Sequence, residues 1–144
     1  MRSVRRSLVL VLGASAFAGA LALTGCSGAD DPPPVTVPYT AGTATIGVGE
    51  TLVVDFGEIN PSIGDAWDLT QAPDEAVLSQ GDVETTELNP GADGSGIELA
   101  YTFVGESAGT TTIGFTYSYR GDVGDENGRT DDPSPTIEVT VVGD

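Results

Sequence analysis

The sequence predicts an all-β fold, an antiparallel two-sheet sandwich of about seven or eight strands. Three observations predict it. From about residue 42, short runs alternate apolar and polar side chains at period two and are rich in Val, Ile, Thr, Tyr and Phe. Gly, Pro, Asn and Asp punctuate these runs. No stretch carries an apolar stripe at helical spacing, and 20 glycines and nine prolines in 144 residues disfavour long helices.

The first element is not part of that fold. Residues 1–6 hold Arg2, Arg5 and Arg6, and residues 8–23 are uncharged and rich in Leu, Val and Ala. A basic start, an apolar run and small residues before a cut site describe a secretory signal, here residues 1–25. The tetrapeptide Leu23-Thr24-Gly25-Cys26 resembles the bacterial lipobox. That resemblance implies cleavage before Cys26, a diacylglyceryl group on its sulfur, and an extracytoplasmic protein lipid-anchored to the cell membrane. Two acyl chains suffice for stable attachment where one is marginal. Residues 26–41 contain Pro32-Pro33-Pro34 and Pro38 and read as a semi-rigid tether; residues 42–144 read as the sandwich domain.

The strands follow in order. Residues 51–56 (TLVVDF) form a β-branched run, and residues 66–69 (AWDL) alternate. Residues 76–78 begin another run, and residues 83–86 extend it as a hairpin. Residues 97–103 place Ile97, Leu99, Tyr101 and Phe103 on one face. Residues 111–119 do the same for Ile113, Phe115, Tyr117 and Tyr119, and residues 136–142 for Ile137, Val139 and Val141. Trp67, Phe56, Phe103, Phe115 and Tyr117 are the expected core.

Three loops stand out: Asn60-Pro61-Ser62-Ile63-Gly64-Asp65, the glycine-rich stretch 89–96, and the long acidic stretch 120–135. Long loops without periodicity are commonly functional. In a sandwich of this chain order all three fall at one end and make a binding edge.

Composition excludes several activities. The chain has no histidine, so it lacks the base of a Ser-His or Cys-His pair. One cysteine makes no intramolecular disulfide and no structural zinc site. The net charge is −17, and beyond residue 25 two arginines face 22 carboxylates, with no lysine. Such a surface excludes nucleic acid as a partner. The remaining carboxylates do not suggest a glycosidase pair, so the chain reads as no enzyme, with no cofactor.

The loop pattern resembles the chagasin-type inhibitors of papain-like cysteine peptidases, which are small immunoglobulin-like sandwiches. The family signature runs from a glycine-containing lead and a hydrophobic strand into Asn-Pro-Thr-Thr-Gly-Tyr, with a Trp two residues on. Asn60, Pro61, Gly64 and Trp67 match in identity and spacing, and Ser62 is a mild change. Gly94-Ser95-Gly96 before an aromatic strand and Ala108-Gly109 before the next also correspond. Three positions differ: the family tyrosine is Asp65, a closing glycine is Ile97, and an Arg-Pro-Trp motif becomes Arg120-Gly121-Asp122.

The resemblance implies a monomeric inhibitor that occludes a peptidase cleft. Gly94, Ser95 and Gly96 would form the central wedge. Asn60, Pro61, Ser62, Ile63, Gly64 and Asp65 would flank it on one side, and Arg120 would begin the contact on the other. The alternative is a surface-binding module that takes calcium through Asp122, Asp125, Asn127 and Asp131 of the acidic loop. That loop does not fit the EF-hand register: with Gly128 at the glycine position, Val123 falls where the first Asp belongs.

Overall fold

The computed structural model describes residues 31–124 and 129–143. The expected signal 1–25, Cys26 and the start of the expected tether lie outside the described residues, as do Asp125 and Asn127. Residues 31–144 belong to one compact unit.

Among the described residues nine strands form two packed sheets. They are β1 (Val35–Pro38), β2 (Thr43–Gly47), β3 (Thr51–Ile59), β4 (Asp65–Gln71), β5 (Leu78–Glu87), β6 (Ile97–Gly105), β7 (Gly109–Tyr119), β8 (Asp122–Val123) and β9 (Thr136–Val142). One sheet has the order β1-β3-β6-β5, the other β2-β9-β7-β4, with β8 added to β7. This is the expected sandwich. Its central pairings are antiparallel, while both N-terminal edge strands run parallel to their partners, β1 to β3 and β2 to β9. The chain enters in one sheet, turns at 38–42 and crosses to the other, so each short strand lines an edge.

Two stretches differ from the sequence reading. Part of the expected tether is strand β1, and Tyr39 behind it packs on the core. Proline at the end of an edge strand is tolerated because only one side of the strand is hydrogen-bonded. The expected hairpin over 76–86 is a single strand, β5, with a bulge between Gln80 and Val83. Gly81-Asp82 reads as a turn, but Thr102 Oγ1 donates to the Asp82 carbonyl at 2.9 Å and keeps the strand on β6.

Period two delivers the core. Leu52, Val54 and Phe56 of β3, Leu99, Tyr101 and Phe103 of β6, Ile113, Phe115 and Tyr117 of β7, and Ile137, Val139 and Val141 of β9 are buried between the sheets. Phe56 is the hub of the aromatic part. Its ring lies 4.9 Å from Trp67, 4.8 Å from Phe115, 5.6 Å from Tyr101 and 5.4 Å from Tyr39. Edge-on aromatic pairs at such spacing add to the gain from burial alone. Among the described residues every buried side-chain polar atom has a hydrogen-bond partner.

Candidate loop-edge site

The first loop is a single 3₁₀ turn, Pro61–Ile63, and each motif residue has a physical task in it. Asn60 is the N-cap: its Oδ1 accepts from Ser62 N at 3.1 Å. Pro61 sits where a helix start needs no N–H. Gly64 closes the turn with φ 101°, a left-handed conformation that glycine adopts freely. A Cβ there would also stand 2.8 Å from Arg120 Cγ and 2.9 Å from Arg120 N. The Asn-Pro-x-x-Gly spacing is thus the recipe for one capped turn.

That turn joins the other two loops. Asn60 Nδ2 donates to the Gly94 carbonyl at 3.0 Å, tying the first loop to the glycine-rich loop. Arg120 N donates to the Gly64 carbonyl at 2.9 Å, and Arg120 Nε to the Ile63 carbonyl at 3.3 Å, tying it to the third. The three loops therefore share one end of the sandwich, with the first in the middle of the hydrogen-bonded row. A cleft of about 410 Å³ opens between the first two, with Pro61, Ser62, Ala92, Asp93, Gly94 and Ile97 among its walls.

The second loop is folded on itself. Leu88 N donates to the Gly96 carbonyl at 3.1 Å, Ala92 N to Asn89 O at 3.1 Å, and Asn89 N to Ser95 Oγ at 3.1 Å. Gly94 has φ 74° and open space where a Cβ would stand. Gly96 is different: a Cβ there would meet Glu58 Oε1 at 2.9 Å and the Ile59 carbonyl at 3.2 Å. Gly94 is free backbone at the tip, while Gly96 is a close approach to β3.

The described parts of the third loop, 120–124 and 129–135, are ordered by specific bonds. Tyr119 and Asp122 pair across Arg120-Gly121, whose φ values of 53° and 88° mark the primed turn that suits a two-residue hairpin. Arg120 is the one positive-φ non-glycine residue among those described. Its ties to Gly64 and Ile63, and its guanidinium 5.1 Å from the Tyr119 ring centre, hold it there. On the return, Tyr117 N donates to Pro133 O at 2.8 Å and Phe115 N to Pro135 O at 3.0 Å.

One predicted contact residue points inward. Asp65 is 9% exposed. Its Oδ1 accepts from Tyr117 OH at 2.7 Å and from Arg129 Nη1 at 3.0 Å, and its Oδ2 accepts from Asn60 N at 3.0 Å. The reason is strand parity: Asp65 opens β4 two residues before the buried Trp67, so both side chains face the sandwich interior. Asp65 is an internal acceptor and not a surface contact. Burial works against the Arg129 charge, but the Asp65 carboxylate, with Tyr119 and Tyr117, outweighs it and holds the guanidinium above its ordinary range.

Arg129, Tyr39 and Thr130 were not legible as site residues. Arg129 reaches Asp65 across 64 positions, and Tyr39 OH shares a 2.9 Å hydrogen bond with Thr130 Oγ1 across 91. The available clue was scarcity: beyond residue 25 the sequence has two basic side chains, and one of them meets the inward carboxylate.

The calcium reading finds no support among the described residues, where no three Asp, Glu, His or Cys side chains converge to hold a metal. Of the candidate ligands, Asp122 and Asp131 are exposed.

Among curated proteins none matches the chain in sequence. In structure it is similar to amebosin, with 25% identity and a TM-score of 0.57 over 77% of this chain and 100% of amebosin. It is also similar to EhICP2, the cysteine protease inhibitor from Entamoeba histolytica, with 22% identity and a TM-score of 0.56 over 75% of this chain and 95% of that one. The family model for chagasin family peptidase inhibitor I42 matches residues 45–141, most of the sandwich and all three loops. The chain belongs to the chagasin family of peptidase inhibitors.

Proposed function

We propose that this protein is a membrane-anchored inhibitor of papain-like cysteine peptidases that occludes the cleft with its three loops. The observation that carries the proposal is the hydrogen-bonded row Gly94–Asn60 and Gly64–Arg120, which joins the loops into one edge. Loops ordered beforehand lose little entropy on binding, and this favours affinity without any reacting group. Gly94 at the tip carries no side chain to keep a partner's backbone away. Asn60, Pro61, Ser62, Ile63 and Gly64 flank the wedge of Gly94, Ser95 and Gly96 on one side. The Arg120 hairpin stands on the far side of that first loop, joined to it at Gly64. The Leu23-Thr24-Gly25-Cys26 motif supports a lipid anchor on Cys26 and an extracytoplasmic location.

The test is inhibition by the chain from residue 27 onward, titrated against papain and related peptidases. Competitive inhibition, retained when the chain is lipid-free, is the expected result. Absence of inhibition across a panel would remove the reading. The anchor is tested separately: Cys26→Ser should release the protein from the membrane fraction.

A further inference from the structure

The second half of the acidic loop is tied to the sandwich by side chains that lie away from its tip. Arg129 Nη1 reaches Asp65 Oδ1 at 3.0 Å, and its guanidinium lies 4.1 Å from the Tyr119 ring centre. One residue on, Thr130 Oγ1 meets Tyr39 OH at 2.9 Å. Tyr39 is itself fixed. Its ring stacks on Phe56 with an interplanar angle of 7°, lies 4.9 Å from Trp67, and its backbone N donates to Asp55 O at 3.0 Å. Thr130 Oγ1 also bonds Asp132 N at 3.3 Å, which carries the tie toward the return strand.

Both anchors are rooted in the core. Asp65 is held by Tyr117 and Asn60, and Tyr39 by Phe56 and Trp67. Asn60 is also the residue that bonds Gly94. One carboxylate therefore links the backbone of the first loop, the Tyr117 hydroxyl of β7 and Arg129 of the third loop. Tyr39 precedes residue 45, where the family match begins.

We infer that Arg129 and Tyr39 are positioning residues that hold the third loop in register with the other two, so that β1 and Tyr39 belong to the inhibitory unit although they precede the family region. The inference rests on the proposed inhibitor function. A loop held in its binding geometry captures its partner at most encounters. A loop that holds it a tenth of the time loses about tenfold in apparent affinity. Because the clamp acts before contact, that loss falls on the association rate and leaves dissociation alone.

The experiment uses the chain from residue 27 onward and a papain-like peptidase that the wild type inhibits. Arg129→Met keeps the stem and removes the guanidinium; Tyr39→Phe removes one hydroxyl. Arg129→Met should slow association about tenfold with dissociation unchanged, and Tyr39→Phe about threefold. Arg129→Lys should recover part of the loss, since it keeps the charge facing Asp65. Unchanged association overturns the inference. An effect confined to dissociation also overturns it, because Arg129 would then be a contact residue. Hydrogen exchange gives a readout that needs no peptidase. The Tyr117 amide, bonded to Pro133 O, should exchange faster in Arg129→Met by more than the accompanying drop in global stability accounts for. Unchanged exchange sinks the clamp even if the wild type inhibits nothing. A wild type that inhibits no peptidase while exchange quickens removes the function and keeps the clamp as a structural fact.

Discussion

Asn60 serves two loops at once: its Oδ1 accepts from Ser62 N at 3.1 Å while its Nδ2 donates to Gly94 O at 3.0 Å. An amide is needed because one end accepts and the other donates. Asn60→Asp keeps the cap acceptor and turns the second bond into an oxygen facing a carbonyl. It should leave the denaturation midpoint nearly unchanged and raise the inhibition constant. Asn60→Ala removes both bonds and should cost about 1 kcal/mol of stability as well. Urea unfolding beside inhibition kinetics separates the two.

Gly64 and Gly94 are both left-handed, and they should fail differently. Gly64→Ala strains φ 101° and drives a methyl into Arg120, so about 3 kcal/mol of stability should be lost. Gly94→Ala strains the backbone by about 1 kcal/mol in open space, with nothing to clash against at φ 74°. Its larger effect should be on inhibition, where a methyl at the tip holds the partner away. Chemical denaturation and inhibition assays on both variants check the contrast.

Asp65→Ala removes the ionised acceptor shared by Tyr117 OH, Asn60 N and Arg129 Nη1 and leaves a small cavity. Losing that acceptor should cost about 3 kcal/mol. Tyr117→Phe in the Asp65→Ala background should then cost less than in the wild type, since the bond from its hydroxyl to Asp65 is already gone. Asp65→Asn retains an acceptor and should fall between. The double-mutant cycle by urea unfolding is the measurement.

Alkaline pH should destabilise the domain through Tyr101. Burial, and then the nearby Asp68 charge, push its hydroxyl above the usual tyrosine range. The hydroxyl donates to the Trp67 carbonyl at 2.8 Å, so ionisation removes the donor. The folded value lies above the unfolded value of about 10. The neutral group therefore contributes fully below that pH, and the contribution is lost as pH rises through the folded value. Tyr101→Phe should cost about 1 kcal/mol at neutral pH and flatten the loss of stability above pH 10. Denaturation midpoints from neutral to alkaline pH, with and without the substitution, decide it.

Local periodicity made much of the fold legible. β6, β7 and β9 alternate cleanly, and their buried faces are those the spacing implies. Asn60, Pro61 and Gly64 were legible because a capped turn is encoded within five positions. The remainder depends on partners far along the chain. β1 is a short proline-containing run that is a strand only because β3 lies alongside it. Asp65 looks like a loop carboxylate until its parity with Trp67 is counted. Arg129 and Thr130 sit in a stretch without periodicity, and their roles come from Asp65 and Tyr39 across the fold.

The placement of the two arginines bears on survival among proteases that cut after basic residues. Past Arg6 the sequence offers such enzymes only the bonds after Arg120 and Arg129. A cleavable bond needs an extended segment and a free basic side chain to fill the specificity pocket. Arg120 is folded into a tight reverse turn and bonded through both backbone and side chain to the neighbouring loop. The Arg129 side chain is drawn onto Asp65 and the Tyr119 ring. Cutting at either place requires local opening first. Trypsin-like enzymes should thus cut the folded domain slowly at both places, because its few scissile side chains are occupied.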